Sequence, residues 1–80
     1  MSDRKLVTLR QMQSGQNGEV VQIQGGYRLV SRLSALGIRP GRRITKVSSM
    51  LMQGPVTIQS GNTQLAIGFG MANKIVVELD

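Results

Sequence analysis

The sequence predicts a mostly β fold: a small closed barrel of about five short strands, with one short α-helix inserted after the first strand. Three observations predict it. Apolar residues alternate with polar ones over short runs, ten of the 80 residues are glycine, and one segment has helical periodicity. Closure is expected because it removes exposed strand edges. The length suits a single domain covering residues 1–80.

The first part of the chain is predicted to form one helical turn and one strand. Thr8 is a suitable N-cap for a turn over residues 8–12. After a glycine-punctuated loop, residues 19–24 predict a strand in which Val21 and Ile23 face the same side.

Residues 27–36 predict the helix of the fold. Gly37 stands where a left-handed C-terminal cap belongs, and Ile38 is expected to fold back over the last turn. Residues 39–42, with Pro40 second and Gly41 third, then predict a type II turn. The helix carries an apolar stripe formed by Leu29, Val30, Leu33 and Leu36.

Four further strands are predicted to complete the barrel. Residues 42–52 do not alternate cleanly, so a bulge or bend is expected there. Two runs of alternating apolar and polar residues, one beginning at Val56 and the other ending at Ile67, flank a hairpin turn at residues 60–62. Glycines then break the pattern before a short turn at residues 71–73. The last strand spans residues 74–79, with one face formed by Ile75, Val77 and Leu79.

Charge is distributed unevenly along the chain. Ten basic residues face four acidic ones, a net charge of +6, and no acidic residue lies between Val20 and Val77. Such a field attracts nucleic acid, an anionic membrane surface or an acidic protein face. A solvated basic face that only confers solubility would account for it equally well. Six basic residues lie close together in the middle of the chain: Arg28, Arg32, Arg39, Arg42, Arg43 and Lys46.

The residue types disfavour an enzyme and offer no cofactor or metal site. The chain has no His and no Cys, and most of its four carboxylates lie near the termini. Neither GxxxxGK[ST] nor GxGxxG occurs. Five methionines could bind Cu(I), but packing of a core that has only two aromatic residues is the favoured explanation. With no signal peptide and no long apolar run, the expected location is the cytoplasm.

The order of motifs resembles the ferrous iron transport protein A (FeoA) family across nearly the whole chain. The most specific block runs from Arg32 to Gly41, and the flanking strands add weaker support. In order, the motifs are Thr8-Leu9-x-x-Met12-x-x-Gly15, Val21-x-Ile23-x-Gly25-Gly26, Arg32-Leu33-x-x-Leu36-Gly37-Ile38-x-Pro40-Gly41-x-x-Ile44, Gly54-Pro55-Val56-x-Ile58 and Ala72-x-x-Ile75-x-Val77-Glu78.

The resemblance implies an SH3-like barrel and a cytosolic accessory of ferrous iron uptake. Its partner would be FeoB, a large membrane transporter with a G-protein domain that moves Fe²⁺ inward. Many family members carry a basic and an acidic residue around the final turn, whereas residues 66–72 are uncharged here. A partner contact that relies on charges at that place is therefore not expected of this chain.

Two other protein classes share such a barrel. Metal-dependent repressors of the diphtheria-toxin-repressor type have a similar C-terminal domain, but 80 residues leave no room for their helix-turn-helix. An SH3-like nucleic-acid module of the ribosomal or Sm-like type is the main alternative. Residues 18–23 resemble a KOW element, and the net charge of +6 favours polyanions. Against it, Tyr27 and Phe69 are the only aromatic residues available for base stacking.

Docking on a protein partner is the mechanism that these features favour. Arginine side chains can engage carboxylates bidentately, so an exposed basic corner would recognise an acidic surface. The leucines, glycines and Pro40 of the same region are expected to build the fold. Pairing of exposed barrel edges could also join two copies, and an assembly could supply iron ligands from elsewhere. The predicted partner-binding residues are Tyr27, Arg28, Arg32, Arg39, Arg42 and Arg43.

Overall fold

In the computed structural model, which describes residues 5–49 and 54–80, six strands and two short helices follow one another along the chain. The elements are β1 (Leu6–Thr8), a 3₁₀ turn (Leu9–Gln11), β2 (Asn17–Ile23), α1 (Tyr27–Ala35), β3 (Arg43–Ser49), β4 (Val56–Ser60), β5 (Thr63–Ile67), α2 (Phe69–Ala72) and β6 (Ile75–Leu79).

The six strands form one antiparallel sheet in the order β1-β6-β2-β3-β4-β5. β6 lies between β1 and β2, and Val77 is opposite Val7 on one side and Val20 on the other. The end strands of this order are β1 and β5, and within the described ranges no ladder joins them. The fold is that of a small SH3-like barrel with a short helix, as the sequence predicts, but it has six strands rather than about five, and no described ladder provides the expected closure.

One aliphatic core lies inside the curled sheet, and every strand and both helices contribute to it. Leu33 anchors α1 there, and full burial of such a side chain stabilises the fold by about 1.5–3 kcal/mol. The buried members are Val7, Leu9, Met12, Val20, Leu33, Ile38, Ile44, Val56, Ile58, Ile67, Ala72, Ile75 and Val77.

Two register shifts change which side chains face this core. In β2, Val20 is opposite Val77 and Gln22 is opposite Val76, so Val21 is an extra residue. The expectation that Val21 and Ile23 share a face is therefore wrong, because the shift turns Val20 and Ile23 towards the core.

The second shift lies in β3, where the sequence predicts a bulge or bend. The pairing with β4 is interrupted between Lys46 and Ser48, and the intervening Val47 is 37% exposed. The predicted irregularity is confirmed. The end of the predicted strand, residues 50–52, lies outside the described residues.

The C-terminal end of α1 forms the predicted glycine cap. Gly37 has φ +88°, and its N–H donates to the Ser34 carbonyl at 2.9 Å. The Ile38 N–H donates to the Leu33 carbonyl at 2.8 Å, which completes a Schellman motif. Leu36, the last residue of the predicted stripe, is 46% exposed. The motif turns the chain so that fully buried Ile38 packs below the helix.

The type II turn after α1 is also present. Gly41 has φ +95°, and the Arg42 N–H donates to the Arg39 carbonyl at 3.1 Å. The turn is fixed to β2 by two backbone hydrogen bonds, from Gly41 N–H to the Val20 carbonyl at 2.7 Å and from Val20 N–H to the Arg42 carbonyl at 2.8 Å. The arginines of this turn therefore project from a rigid backbone.

Two short elements, β1 and α2, are present in the structure but were not predicted from the sequence. β1 has three residues and comes before the strand that the sequence places first, so α1 follows the second strand rather than the first. The expected turn at residues 71–73 overlaps the end of the four-residue helix α2.

The turn after Thr8 is confirmed as a 3₁₀ turn with a capping box. The Gln11 N–H donates to Thr8 Oγ1 at 3.3 Å, and the Thr8 N–H donates to Gln11 Oε1 at 2.8 Å.

Candidate docking surface

All six predicted partner-binding residues are exposed, and they come from two neighbouring segments of the chain. Three belong to α1, where Tyr27 is 85% exposed at the N-terminal end. The other three belong to the type II turn and the beginning of β3. In order, the six are Tyr27, Arg28, Arg32, Arg39, Arg42 and Arg43.

Arg28 and Arg32 lie one helical turn apart on the exposed face of α1. Together with Leu29 and with Met71 of α2, they line an open depression of about 230 Å³. Leu29 and Met71 are half-buried and pack against the core cluster, so the depression combines apolar side chains with two guanidinium groups. This is the place where part of the predicted basic corner meets an apolar surface.

Arg42 and Arg43 are held by partners within the chain. Arg42 Nε donates to the Ser60 hydroxyl at 2.7 Å. The Arg43 guanidinium forms an ion pair with the Asp80 carboxylate, and this hydrogen bond together with the charge of Asp80 raises the pKa of Arg43. Both contacts direct these side chains towards the strands rather than towards α1.

A second depression, of about 320 Å³, surrounds the Arg43–Asp80 pair. It is polar, and the Thr45 hydroxyl donates to Asn17 Oδ1 at 2.5 Å within its lining. It shares no lining residue with the depression at α1. The arginines of the predicted basic corner therefore fall into two groups. Within the described ranges, the side chains of Arg28, Arg32 and Arg39 have no hydrogen-bonding or ionic partner, whereas Arg42 and Arg43 have one each.

Lys46 is not part of the exposed basic field. It is 3% exposed, and its ammonium donates to the Arg10 carbonyl at 3.1 Å and to the Met12 carbonyl. Burial lowers the pKa of Lys46, and the positive charge of Arg10 lowers it further. The alternation along β3 could have indicated this burial, because Lys46 shares the inward face of the strand with Ile44. A lysine is usually exposed because of its charge, but here two backbone carbonyls accept hydrogen bonds from the buried ammonium.

The uncharged stretch at residues 66–72 forms the end of β5 and α2. The Arg10 guanidinium lies over the ring of Phe69 from α2, 4.7 Å from its centroid. Met71 of the same helix lines the α1 depression. About 40 residues separate this stretch from the arginines of α1 along the chain, so no local sequence pattern connects the two.

The described residues contain no group of three or more His, Cys, Asp or Glu side chains that could hold a metal ion. Of the five methionines, Met12 lies in the core and Met71 packs against it, while Met1, Met50 and Met52 lie outside the described residues. No helix within residues 5–49 and 54–80 is long and apolar enough to cross a membrane.

Comparisons with known proteins agree with this architecture. A family model described as the FeoA domain matches residues 7–79. A protein of Methanocaldococcus jannaschii named Fe(2+) transport protein A is 34% identical over 64 residues, which cover 80% of this chain and 76% of that protein. A crystal structure of an iron uptake regulatory protein (FeoA) superimposes with a TM-score of 0.86 at 36% identity, covering 95% of this chain and 99% of the other.

A manganese-dependent transcriptional repressor also contains this fold. It superimposes with a TM-score of 0.87 over all of this chain and 45% of the repressor, at 16% identity. At that identity the likeness concerns the fold alone. It agrees with the sequence-based expectation that metal-dependent repressors carry a similar barrel.

Proposed function

The chain belongs to the FeoA domain family, and on that premise we propose that it is a non-enzymatic cytosolic accessory of ferrous iron uptake. Its role is to dock on an FeoB-type membrane transporter and to modulate or assemble it, with Fe²⁺ as the cargo of the transporter. The partner-binding surface comprises Tyr27, Arg28, Arg32, Arg39, Arg42 and Arg43, all of which are exposed.

The observation that supports docking best is the set of arginines without partners. In the described part of the chain, Arg28, Arg32 and Arg39 have no carboxylate to pair with, although the backbone beneath them is fixed by the helix and the turn. A guanidinium group presents a planar fork that fits a carboxylate. Such a surface suits an acidic face of another protein, and its charge would raise the association rate and set the orientation.

The six residues are expected to contribute unequally. Arg42 and Arg43 would have to give up their hydrogen bonds to Ser60 and Asp80 before binding a partner in full. Arg28 and Arg32 have no such competing contact. This difference provides a pair of double variants that remove the same charge from two places.

The experiment is capture of the detergent-solubilised FeoB-type transporter of the source organism on the immobilised chain. Wild type is compared with Arg28→Ser/Arg32→Ser and with Arg42→Ser/Arg43→Ser, each of which lowers the net charge by two. Capture by the first variant should fall about tenfold, as expected when central arginines of an interface are truncated. Capture by the second should stay within about twofold of wild type, since exposed and internally paired charges contribute little.

Two outcomes would contradict the proposal at different levels. If wild type captures no transporter, the docking function is wrong. If both variants capture as wild type does, the arginine surface is not the interface. Binding to mixed RNA at physiological salt tests the nucleic-acid alternative. Micromolar affinity that survives there would favour that alternative, because purely electrostatic binding weakens steeply with salt.

A further inference from the structure

The depression between α1 and α2 has a fixed apolar floor. Leu29 and Met71 reach it from the two helices, and both pack against the core behind them. Their positions are set by that packing, so the floor exists before any partner binds. Methionine is also adaptable in shape, which suits a surface that receives a side chain from another molecule. At about 230 Å³ the depression has room for one large aliphatic side chain of a partner.

The rim of the same depression is cationic and uncompensated. Arg28 and Arg32 flank the floor, and neither α1 nor α2 contains an acidic residue. Within the described ranges the acidic side chains are Glu19, Glu78 and Asp80, all on β2, β6 or after it. None of them forms an ion pair with either arginine. Among residues 5–49 and 54–80 no carboxylate neutralises these two guanidinium groups, so both are available to an anion on another molecule.

The surroundings favour a carboxylate partner over a nucleic acid. Base stacking needs accessible aromatic faces, and the Phe69 ring is already covered by the Arg10 guanidinium. Tyr27 alone is left as an exposed aromatic residue. A phosphate backbone would use the arginines but would gain nothing from Leu29 and Met71. A peptide with an apolar side chain next to acidic ones would use all four residues.

We infer that this depression binds a linear segment of a partner protein in which an apolar side chain lies beside two carboxylates. The apolar side chain contacts Leu29 and Met71, and the carboxylates pair with Arg28 and Arg32. The inference rests on the proposed docking function, because the segment is taken to lie in the cytosolic part of the transporter.

The first experiment is a peptide array of overlapping 15-residue peptides that cover the cytosolic sequence of the transporter. It is probed with wild type, with Arg28→Ser/Arg32→Ser and with Arg42→Ser/Arg43→Ser. Some peptides should bind wild type and Arg42→Ser/Arg43→Ser equally well but Arg28→Ser/Arg32→Ser about tenfold more weakly. These peptides should share an apolar residue close to two acidic ones. Bound peptides that lack either feature would overturn the inference.

The second experiment maps the strongest peptide onto the chain by amide chemical shifts. The largest shifts are expected at Arg28, Leu29, Arg32 and Met71, and replacement of the apolar residue of the peptide by Ser should weaken binding severalfold. Met71→Ser tests the floor without changing charge, and it should weaken the original peptide but not the Ser peptide. Shifts centred on Arg43 instead would overturn the inference.

Failure of this inference can be told from failure of the proposed function. If intact transporter is captured but no linear peptide binds, docking holds and the linear segment is wrong. If neither intact transporter nor any peptide is bound, both are wrong. If an RNA oligonucleotide shifts the same four residues more strongly than any peptide does, the carboxylate chemistry is wrong.

Discussion

Lys46 is a positive charge enclosed in an aliphatic barrel and satisfied by two backbone carbonyls. Its ammonium connects β3 to the 3₁₀ turn, where Arg10 supplies one acceptor, and to Met12 directly after that turn, which supplies the other. The backbone of Lys46 adds to this connection, since its N–H donates to the Gln16 carbonyl at 3.0 Å and its carbonyl accepts from Gly15 at 2.7 Å. One residue therefore fixes the N-terminal loop against the sheet.

Replacement of this lysine should lower stability. In Lys46→Met, a side chain of similar length keeps the packing but leaves both carbonyls without a donor. The loss should be about 1–3 kcal/mol near neutral pH, the usual range when a buried polar group loses its partner. Lys74→Met, at an exposed lysine, is the matched control and should change stability by less than about 0.5 kcal/mol. Urea unfolding followed by circular dichroism measures both, and equal stabilities would contradict the structural role.

The lowered pKa of Lys46 also predicts a pH dependence. Between the folded pKa and the unfolded value of about 10.4, the folded state has released a proton that the unfolded state retains. Unfolding then takes up a proton, so the contribution of Lys46 to stability rises with pH through that window. The difference in unfolding free energy between wild type and Lys46→Met should grow from pH 8 to pH 10.5. A constant difference over that range would contradict the lowered pKa.

At the scale of elements, the end of α1 determines the position of the turn that carries Arg39. Gly37 reverses the chain in a conformation that L side chains rarely adopt, and Ile38 then seals the core. The turn that follows is bonded to β2 on both sides, so Arg39 starts from a fixed backbone. The docking surface thus depends on a helix cap as well as on charge.

Gly37→Ala should destabilise the chain for backbone reasons alone. An added Cβ meets no atom within 4 Å, so only the positive φ opposes the change. The expected net loss is about 1 kcal/mol, a strain of roughly 1–2 kcal/mol reduced by the lower entropy of the unfolded chain. Gly70→Ala in α2 also meets open space, but its φ is not positive, so stability should be unchanged or slightly higher. Thermal unfolding of both variants checks this, and similar midpoints would contradict it.

Local chemistry made most elements predictable from the sequence. The capped helix, the type II turn and the hairpin at residues 60–62 follow from residues that lie next to one another. β1 could not be found in this way, because three residues show no alternation and the strand exists through its pairing with β6. The shift at Val21 is likewise set by the register against β6 rather than by β2 itself.

At the scale of the whole molecule, the sequence predicts that the arginines are exposed. It does not predict which of them form contacts within the chain. Whether an arginine is free depends on residues far away in sequence: Ser60 for Arg42 and Asp80 for Arg43. The apolar floor beside Arg28 and Arg32 likewise needs Met71, which reaches α1 only after the sheet has closed around the core. Composition gave the sign of the surface charge, and tertiary structure decides which part of that charge is available to a partner.

Ferrous iron uptake in living cells tests the central claim most directly. Uptake of labelled Fe²⁺ is measured in a strain that lacks this chain and in the same strain carrying wild type, Arg28→Ser/Arg32→Ser or Arg42→Ser/Arg43→Ser, at equal protein levels. If the chain acts by docking through α1, wild type and the Arg42/Arg43 variant should shift the uptake rate equally, and the Arg28/Arg32 variant should leave it at the level of the deletion strain. Wild-type uptake with the Arg28/Arg32 variant, or an uptake rate that does not respond to deletion of the chain, would contradict the claim.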